Sequence, residues 1–478
     1  MPRRLLPMGL VALLFAAQIF IRFQSSLIHD TAWYLYVAQG LLHGKKLYLD
    51  FVEVNPPLGM WLVVPPVWLA ERTGLASVAC FYSYLFAITA IVLALCWRYA
   101  MTEVRSSRAL MLLATSAILL FAPGNNFGQR EHFMVLLFLP WVILRMQHAP
   151  QAKGWERVLV GAAAGLAIAL KPHAIFAPLC VEATLCFQQR NWRQAVAVEN
   201  AAALAAVLAY GAAIAIFTPE FFGGIIGLGR TAYLPYYGYP LPVVLMDAKW
   251  AVIFMALGFL GIADKRVQIY WAAALGFLVS YFLQNKGFTY HILPATIFAL
   301  LACAASLQAG FASPRFKTMA TATIGLAALA LLVSEPQEYE QNRDISSRIE
   351  ALRGPEVQSI FIASNRFAHA FPYVVEQHLD WASRLPTQWL VPYVSDHWKP
   401  GESTHDPIVA KALDWTMEDF ANLKPDLVAI DNTKAQRAAM GSFEFLKFWN
   451  EDPRFAALWQ NYRLASEQGD ILIYQRQK

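Results

Sequence analysis

"VLVGAAAGLAIALKPHAIFAPLCVEATLCF", residues 158–187, is apolar throughout except for Lys171, His173 and Glu182. Read as one helix it would run about 45 Å at 1.5 Å per residue, well beyond a hydrocarbon core of about 30 Å. Pro172 stands near its middle, and proline both removes a helical hydrogen bond and clashes with the preceding turn. The stretch therefore reads as two short helices meeting at Lys171. That choice fixes the topology of everything downstream. With the break, Arg190, Arg193, Lys265, Arg266, Arg315 and Lys317 fall on the cytoplasmic side, and only Arg230, Lys249 and Lys286 fall opposite. Positive charge favours the inside, and this arrangement obeys that bias. The upstream cations Arg3, Arg4, Arg98, Arg105, Arg108, Arg145, Lys153 and Arg157 also fall inside.

Working outward, a spanning helix needs about 20 apolar residues. Segments 5–23, 77–98, 108–123, 131–147, 157–171, 173–189, 195–217, 243–263, 266–284, 290–309 and 317–334 meet the need, so about 11 transmembrane helices are expected, N-terminus inside and C-terminus outside. The opening MPRR and the apolar run to Ile21 read as an uncleaved first helix rather than a signal peptide. The chain is 57% hydrophobic and only 15% charged, whereas soluble domains carry roughly 25% charged residues. A net charge of +5 with no basic run excludes a nucleic-acid binder. The cysteines (Cys80, Cys96, Cys180, Cys186, Cys303) all lie in apolar segments and read as buried small hydrophobes.

Two domains follow. Residues 1–334 form the membrane part, with a first outer loop at 24–76 carrying membrane-surface helices. Residues 335–478 turn polar and form a small extracytoplasmic α/β domain. In it, "SIFIAS" and "DLVAI" read as strands, and "YRLASEQGDILIYQR" as a hairpin around Gln468-Gly469-Asp470. "WTMEDFANL" and "SFEFLKFWNEDPRFAALW" read as helices. Gly161 and Gly165 form a small-xxx-small pattern that signals close helix packing. Gly223, Gly224, Gly227 and Gly229 lack the Lys-Ser/Thr of a phosphate loop and follow no strand.

The topology sends a set of polar residues outward. The first loop gives His29, Asp30, Asp50 and Glu53. "PGNNFGQREHF" gives Arg130, Glu131 and His132, and the broken helix gives Lys171 and His173. A later loop gives Arg230 beside "TAYLPYYGYP", and "QNKGFTYHILP" gives Gln284, Lys286, Tyr290 and His291. Ionisable groups at membrane depth are costly, so a functional role is their default reading. Acids able to activate a hydroxyl, together with cations able to receive an anionic leaving group, suit a transfer reaction. A phosphate attached to a lipid would explain why such a site lies at membrane level. The bland alternatives are a helix N-cap for Asp30, solvated loop acids for Asp50 and Glu53, a local Arg130–Glu131 ion pair, and a snorkelling Lys171. Convergence of these residues in one outward pocket is what would decide between the two. No H-x-x-x-H pair supports zinc. A divalent cation held by Asp30, Asp50 or Glu53 with phosphate is the metal this acid set suits; no metal ligand is assigned and no other cofactor is implied.

At these residues the chain resembles the GT-C superfamily of membrane glycosyltransferases, among them bacterial lipid A aminoarabinose transferases and protein O-mannosyltransferases. An outward Asp soon after the first span, then "GKKLYLDFVEVNPPLGMWL", is similar to their first outer loop. "GLAIALKPHA" resembles their outward Lys at the end of a short helix, and "FGQREH" their second outer loop. Lys171 is followed by Pro-His here, where many relatives have Gly. The resemblance implies a GT-C-like fold and a sugar donor on a polyprenyl phosphate, with a glycan, lipid or protein as acceptor, in the inner (plasma) membrane. It implies Asp30 as general base and Arg130, Lys171, Lys286 and Arg230 as binders of the donor phosphate. Asp50, Glu53, Glu131, His132, His173, Tyr290 and His291 would contact substrate, and Trp33, Tyr34 and Tyr236 offer faces for a sugar. Lys171→Ala is expected to be near-silent for folding and severe for turnover. The competing class is a transporter or flippase for a lipid-linked or anionic saccharide, which would also show a broken helix and buried charge.

Overall fold

A computed structural model describes residues 2–100, 105–147, 151–309, 344–433, 436, 440–441 and 443–477. The predicted span 317–334 lies outside them, as do His148, Arg315 and Lys317. Every other predicted span coincides with a helix. These are α1 (Pro2–Phe23), α5 (Ser77–Tyr99), α6 (Arg105–Phe121), α7 (Arg130–Met146), α8 (Gly154–Leu170), α9 (Phe176–Gln189), α10 (Val198–Phe217), α12 (Leu241–Phe259), α13 (Lys265–Gln284) and α14 (Leu293–Ala309). Among the described residues, five helices are long and apolar enough to cross a membrane: α5, α10, α12, α13 and the stretch Thr289–Ala309 that contains α14. Shorter apolar helical stretches occur at Pro7–Phe23 and Arg108–Phe121.

By contacts the chain forms two compact units. The first comprises Met1–Ser26, Leu69–Ile214 and Gly238–Glu335. Its interior is built on α7 and α14, which are buried along nearly their whole lengths. α13 packs on α14 and α9, α12 on α14, and α7 on α8. α10 is the opposite case: it is apolar all round yet exposes Leu204, Leu208, Ile216 and Phe217. An apolar helix with its side chains outward is stable only where hydrocarbon replaces water. Small residues set the closest approaches. A Cβ on Gly161 or Gly165 would run into the backbone of Glu199 or Ala203, so the small-xxx-small pattern is the seam between α8 and α10. The buried Arg145 ties α7 to its neighbours, donating from Nε to Glu182 at 2.6 Å, from Nη1 to Glu199 at 3.0 Å and from Nη2 to the Gln194 carbonyl at 2.8 Å.

The second unit comprises Leu27–Trp68, Ala215–Tyr237 and Pro336–Lys478. It holds α2 (His29–Leu42), α3 (Leu58–Trp61) and the first half of α4 (Val64–Thr73). It also holds a helical run in which α11 (Ile226–Leu228) is flanked by π turns at Phe221–Ile225 and Gly229–Tyr233. Gly223, Gly224, Gly227 and Gly229 thus lie within helical backbone.

The sheet contains β1 (Ser359–Ala363), β2 (Asp380–Trp381), β3 (Leu427–Asp431), β4 (Tyr462–Gln468) and β5 (Ile471–Arg476) in the order β2-β1-β3-β5-β4. β2, β1 and β3 are parallel, and β3, β5 and β4 antiparallel. β3 is buried at every position and β1 at all but its first residue, as central strands covered on both faces must be. The β4–β5 hairpin turns at Gly469, whose φ of 60° a side chain would resist. Most of the stretch 24–76 is part of this unit. Tyr36 Oη accepts the Trp381 amide at 2.9 Å, and the Val52 amide donates to the Arg384 carbonyl at 2.7 Å.

Candidate functional site

Pro172 sets Lys171 in place. A residue before proline is driven out of the α region, and Lys171 sits at φ −146°, ψ 99°, ending α8 as an extended residue. A short 3-10 turn, Pro172–Ile175, then leads into α9. The break read from the sequence is therefore real. Across from it, Glu131 occupies the first turn of α7, where the helix dipole favours a carboxylate. The Lys171 ammonium pairs with that carboxylate. Lys171 Nζ also donates to Gln284 Oε1 at 3.2 Å and stands 5.6 Å from the centre of the Tyr290 ring.

The third wall comes from a reversal of the chain. α13 ends at Asn285 with φ 47°, Gly287 follows at φ 63°, and a 3-10 turn over Thr289–Ile292 enters α14. The reversal supplies Gln284 from one side and Tyr290 and His291 from the other. His291 Nε2 lies 3.8 Å from Glu131 Oε1, and its ring is flanked by Tyr290 at 4.4 Å and Phe288 at 5.4 Å. The His173 carbonyl accepts Ser280 Oγ at 2.7 Å, fixing the broken helix to α13. The charges of Lys171, Arg130 and Lys286 all act on both His173 and His291. So Glu131, Lys171, Gln284, Tyr290 and His291 touch one another, with Arg130, His173 and Lys286 in the same part of the first unit. Glu131 is 1% exposed, Arg130 6% and Lys171 8%. Two buried cations beside one buried carboxylate leave an excess of positive charge here, with Lys286 half-buried.

Other expectations changed. Glu131 pairs with Lys171, and Lys171 is a buried residue, not a snorkelling surface lysine. His132 is fully buried; its Nδ1 accepts the Gly128 amide at 3.1 Å and its ring packs on Phe127.

Asp30, Asp50, Glu53 and Arg230 belong to the second unit. Asp30 lies in the first turn of α2, but the N-cap is Ile28, and no side chain caps the helix. His29 Nε2 is 3.5 Å from Asp30 Oδ1. Glu53 is buried and engaged inside the protein: Oε2 accepts Trp33 Nε1 at 3.0 Å, and Oε1 accepts the Asn55 amide at 3.0 Å and Asn55 Nδ2 at 2.7 Å. Asp50 is exposed and accepts the Lys46 amide at 2.6 Å. Arg230 is exposed on a π turn. Trp33 and Tyr34 are buried, so neither offers a face to a sugar; Tyr236 is half-buried, 5.9 Å from Tyr393. Among the described residues no three His, Cys, Asp or Glu side chains group closely enough to hold a metal ion by themselves. The links from Glu53 to Trp33 and from Trp381 to Tyr36 had no sequence signal, because their partners are far apart in the chain.

By sequence, neither a family profile nor a curated protein matches the chain. By structure, ArnT from Cupriavidus metallidurans bound to undecaprenyl phosphate matches with a TM-score of 0.54 at 15% identity, covering 98% of each chain. The same protein in its apo state matches equally. The oligosaccharyltransferase of Archaeoglobus fulgidus in its apo form gives a TM-score of 0.47 at 10% identity, over 91% of this chain and 71% of that one. The chain thus has the GT-C-like architecture expected from its sequence: a largely helical body with apolar helices and a small C-terminal sheet domain.

Proposed function

We propose that the protein is a membrane glycosyltransferase, a hexosyl- or pentosyltransferase. It would move a sugar from a polyprenyl-phosphate donor to a hydroxyl on a glycan, lipid or protein at the outer face of the inner membrane. The observation that carries this reading is the Lys171 group: buried cations gathered at a helix break around a single carboxylate. A buried charge cluster of that sign is expensive and is explained by an anionic ligand at membrane level. The likeness to ArnT bound to undecaprenyl phosphate supports a lipid-linked donor.

On this reading Asp30 takes the proton from the acceptor hydroxyl. The oxygen forms its bond to the anomeric carbon as the bond from that carbon to the phosphate oxygen breaks, with inversion. The departing lipid phosphate carries the bonding pair away, and Lys171, Arg130, Lys286 and Arg230 receive its charge, a preorganised electrostatic contribution. Glu131 holds Lys171 in place until the donor arrives. His173, Tyr290 and His291 line the donor's surroundings, and the Asp50–Glu53 loop orients the acceptor side. The N-terminus lies inside and residues 335–478 outside.

The test is direct. Purified protein is incubated with radiolabelled polyprenyl-phosphate sugar and candidate acceptors. Release of polyprenyl phosphate is expected to fall by about 10²-fold or more in Asp30→Asn. Release undiminished by that change rejects the base. Sugar crossing proteoliposome membranes without bond cleavage would instead establish a carrier, the reading that the broken helix alone also suits.

A further inference from the structure

We infer that Glu53 is a positioning residue for Asp30, acting through Trp33, and that the C-terminal domain completes the same brace. The inference rests on the reading of Asp30 as general base.

Residues three apart on a helix are neighbours on one flank, so Trp33 stands beside Asp30 on α2. Trp33 is wholly buried, and its indole N–H is satisfied by Glu53 Oε2 at 3.0 Å. Its ring is enclosed by Phe51 at 5.7 Å, Phe371 at 5.3 Å and Phe367 at 6.4 Å, and Phe367 also meets His29 at 5.1 Å. One turn further on, Tyr36 accepts the Trp381 amide. The loop carrying Glu53 is tied to the same domain through Val52 and the Arg384 carbonyl. The Arg384 side chain is itself anchored on Asp419 and Glu418, each at 2.8 Å.

A helix held only for stability would need nothing but its apolar face. A buried carboxylate is costly to desolvate, and its return here is direction: a charge-assisted hydrogen bond fixes the indole, and so the rotation of α2, in a way that apolar contacts do not. The side chain that rotation aims is Asp30. The aromatic residues of the first outer loop, which could stack on a sugar by composition, are thereby assigned to holding the base.

The experiment measures steady-state release of polyprenyl phosphate by the full-length protein, with radiolabelled donor and a fixed acceptor. Glu53→Ala is expected to lower kcat by about 10²-fold, as a misplacement near 1 Å does, with the donor KM within about twofold. Glu53→Gln, which keeps an acceptor for the indole, is expected to recover most of the rate. In the Asp30→Asn background, Glu53→Ala is expected to cost nothing further, because the group it positions is gone. Should Glu53→Ala fail to fold, Trp33→Phe, which removes the N–H and keeps an aromatic ring, carries the same expectations. Full activity in Asp30→Asn would overturn the base itself. An inactive Asp30→Asn beside unchanged kcat in Glu53→Ala or Trp33→Phe, or penalties that multiply in the double variant, would overturn the positioning role alone.

Discussion

Lys171→Ala should do more than stop turnover. The sequence alone suggested a variant silent in folding, but Glu131 is 1% exposed and faces the ammonium that the substitution removes. Breaking a buried pair by deleting one partner leaves an uncompensated charge and costs about 3–5 kcal/mol, whereas an exposed pair is worth about 1 kcal/mol or less. The assay pairs thermal unfolding in detergent with release of polyprenyl phosphate. Lys171→Ala should unfold several degrees below the parent and lose about 10²-fold or more in rate. The double variant Lys171→Met/Glu131→Gln removes both charges at similar volume, and such replacements are often neutral in stability. It should recover the melting temperature and none of the rate. An unchanged melting temperature in Lys171→Ala would refute the buried pair. Recovered turnover in the double variant would refute the role of Lys171 in holding the phosphate.

The remaining predictions concern the scaffold. Gly165→Val drives a side chain into the Ala203 backbone and should destabilise by at least about 1–3 kcal/mol, read as a lowered melting temperature; an unaffected protein would mean that α8 and α10 are not in contact. Asp426 should give the sheet domain an acid limit. Burial alone would raise its carboxyl, but the Arg476 guanidinium and the amides of Gln358 and Ser359 outweigh burial and hold it below the usual carboxylate range. A folded-state value below the unfolded one means that the unfolded chain binds the extra proton. The contribution is therefore complete above the ordinary Asp range near 4 and fades as pH falls through the lower folded value. Asp426→Asn should flatten that part of a stability–pH curve, and an unaltered acid limb would remove Asp426 from the account.

What was legible in the sequence was local. Pro172 constrains its own predecessor, so the extended Lys171 follows from two adjacent residues and a length. β1 and β3 announce themselves as short apolar runs, and Gly469 as the point where a hairpin reverses. The helical backbone at 223–229 was not announced in this way: glycine has a low helix propensity, and packing such as Tyr48 against Phe221 accompanies helical backbone there regardless. The sites failed differently. Charges at the ends of apolar spans could be collected from the sequence, and of these Lys171 and His291 lie against Glu131. Which carboxylate neutralises Lys171, and what Glu53 is for, could not be read. Each depends on a partner many residues distant, and no periodicity encodes such a pairing. Glu53 and Asp50 look alike in the string, three residues apart in one polar loop. One is sealed against an indole and the other lies in solvent on a backbone amide. Loop acids therefore acquire their roles from the domain against which the loop packs, and here that domain begins some three hundred residues later in the chain.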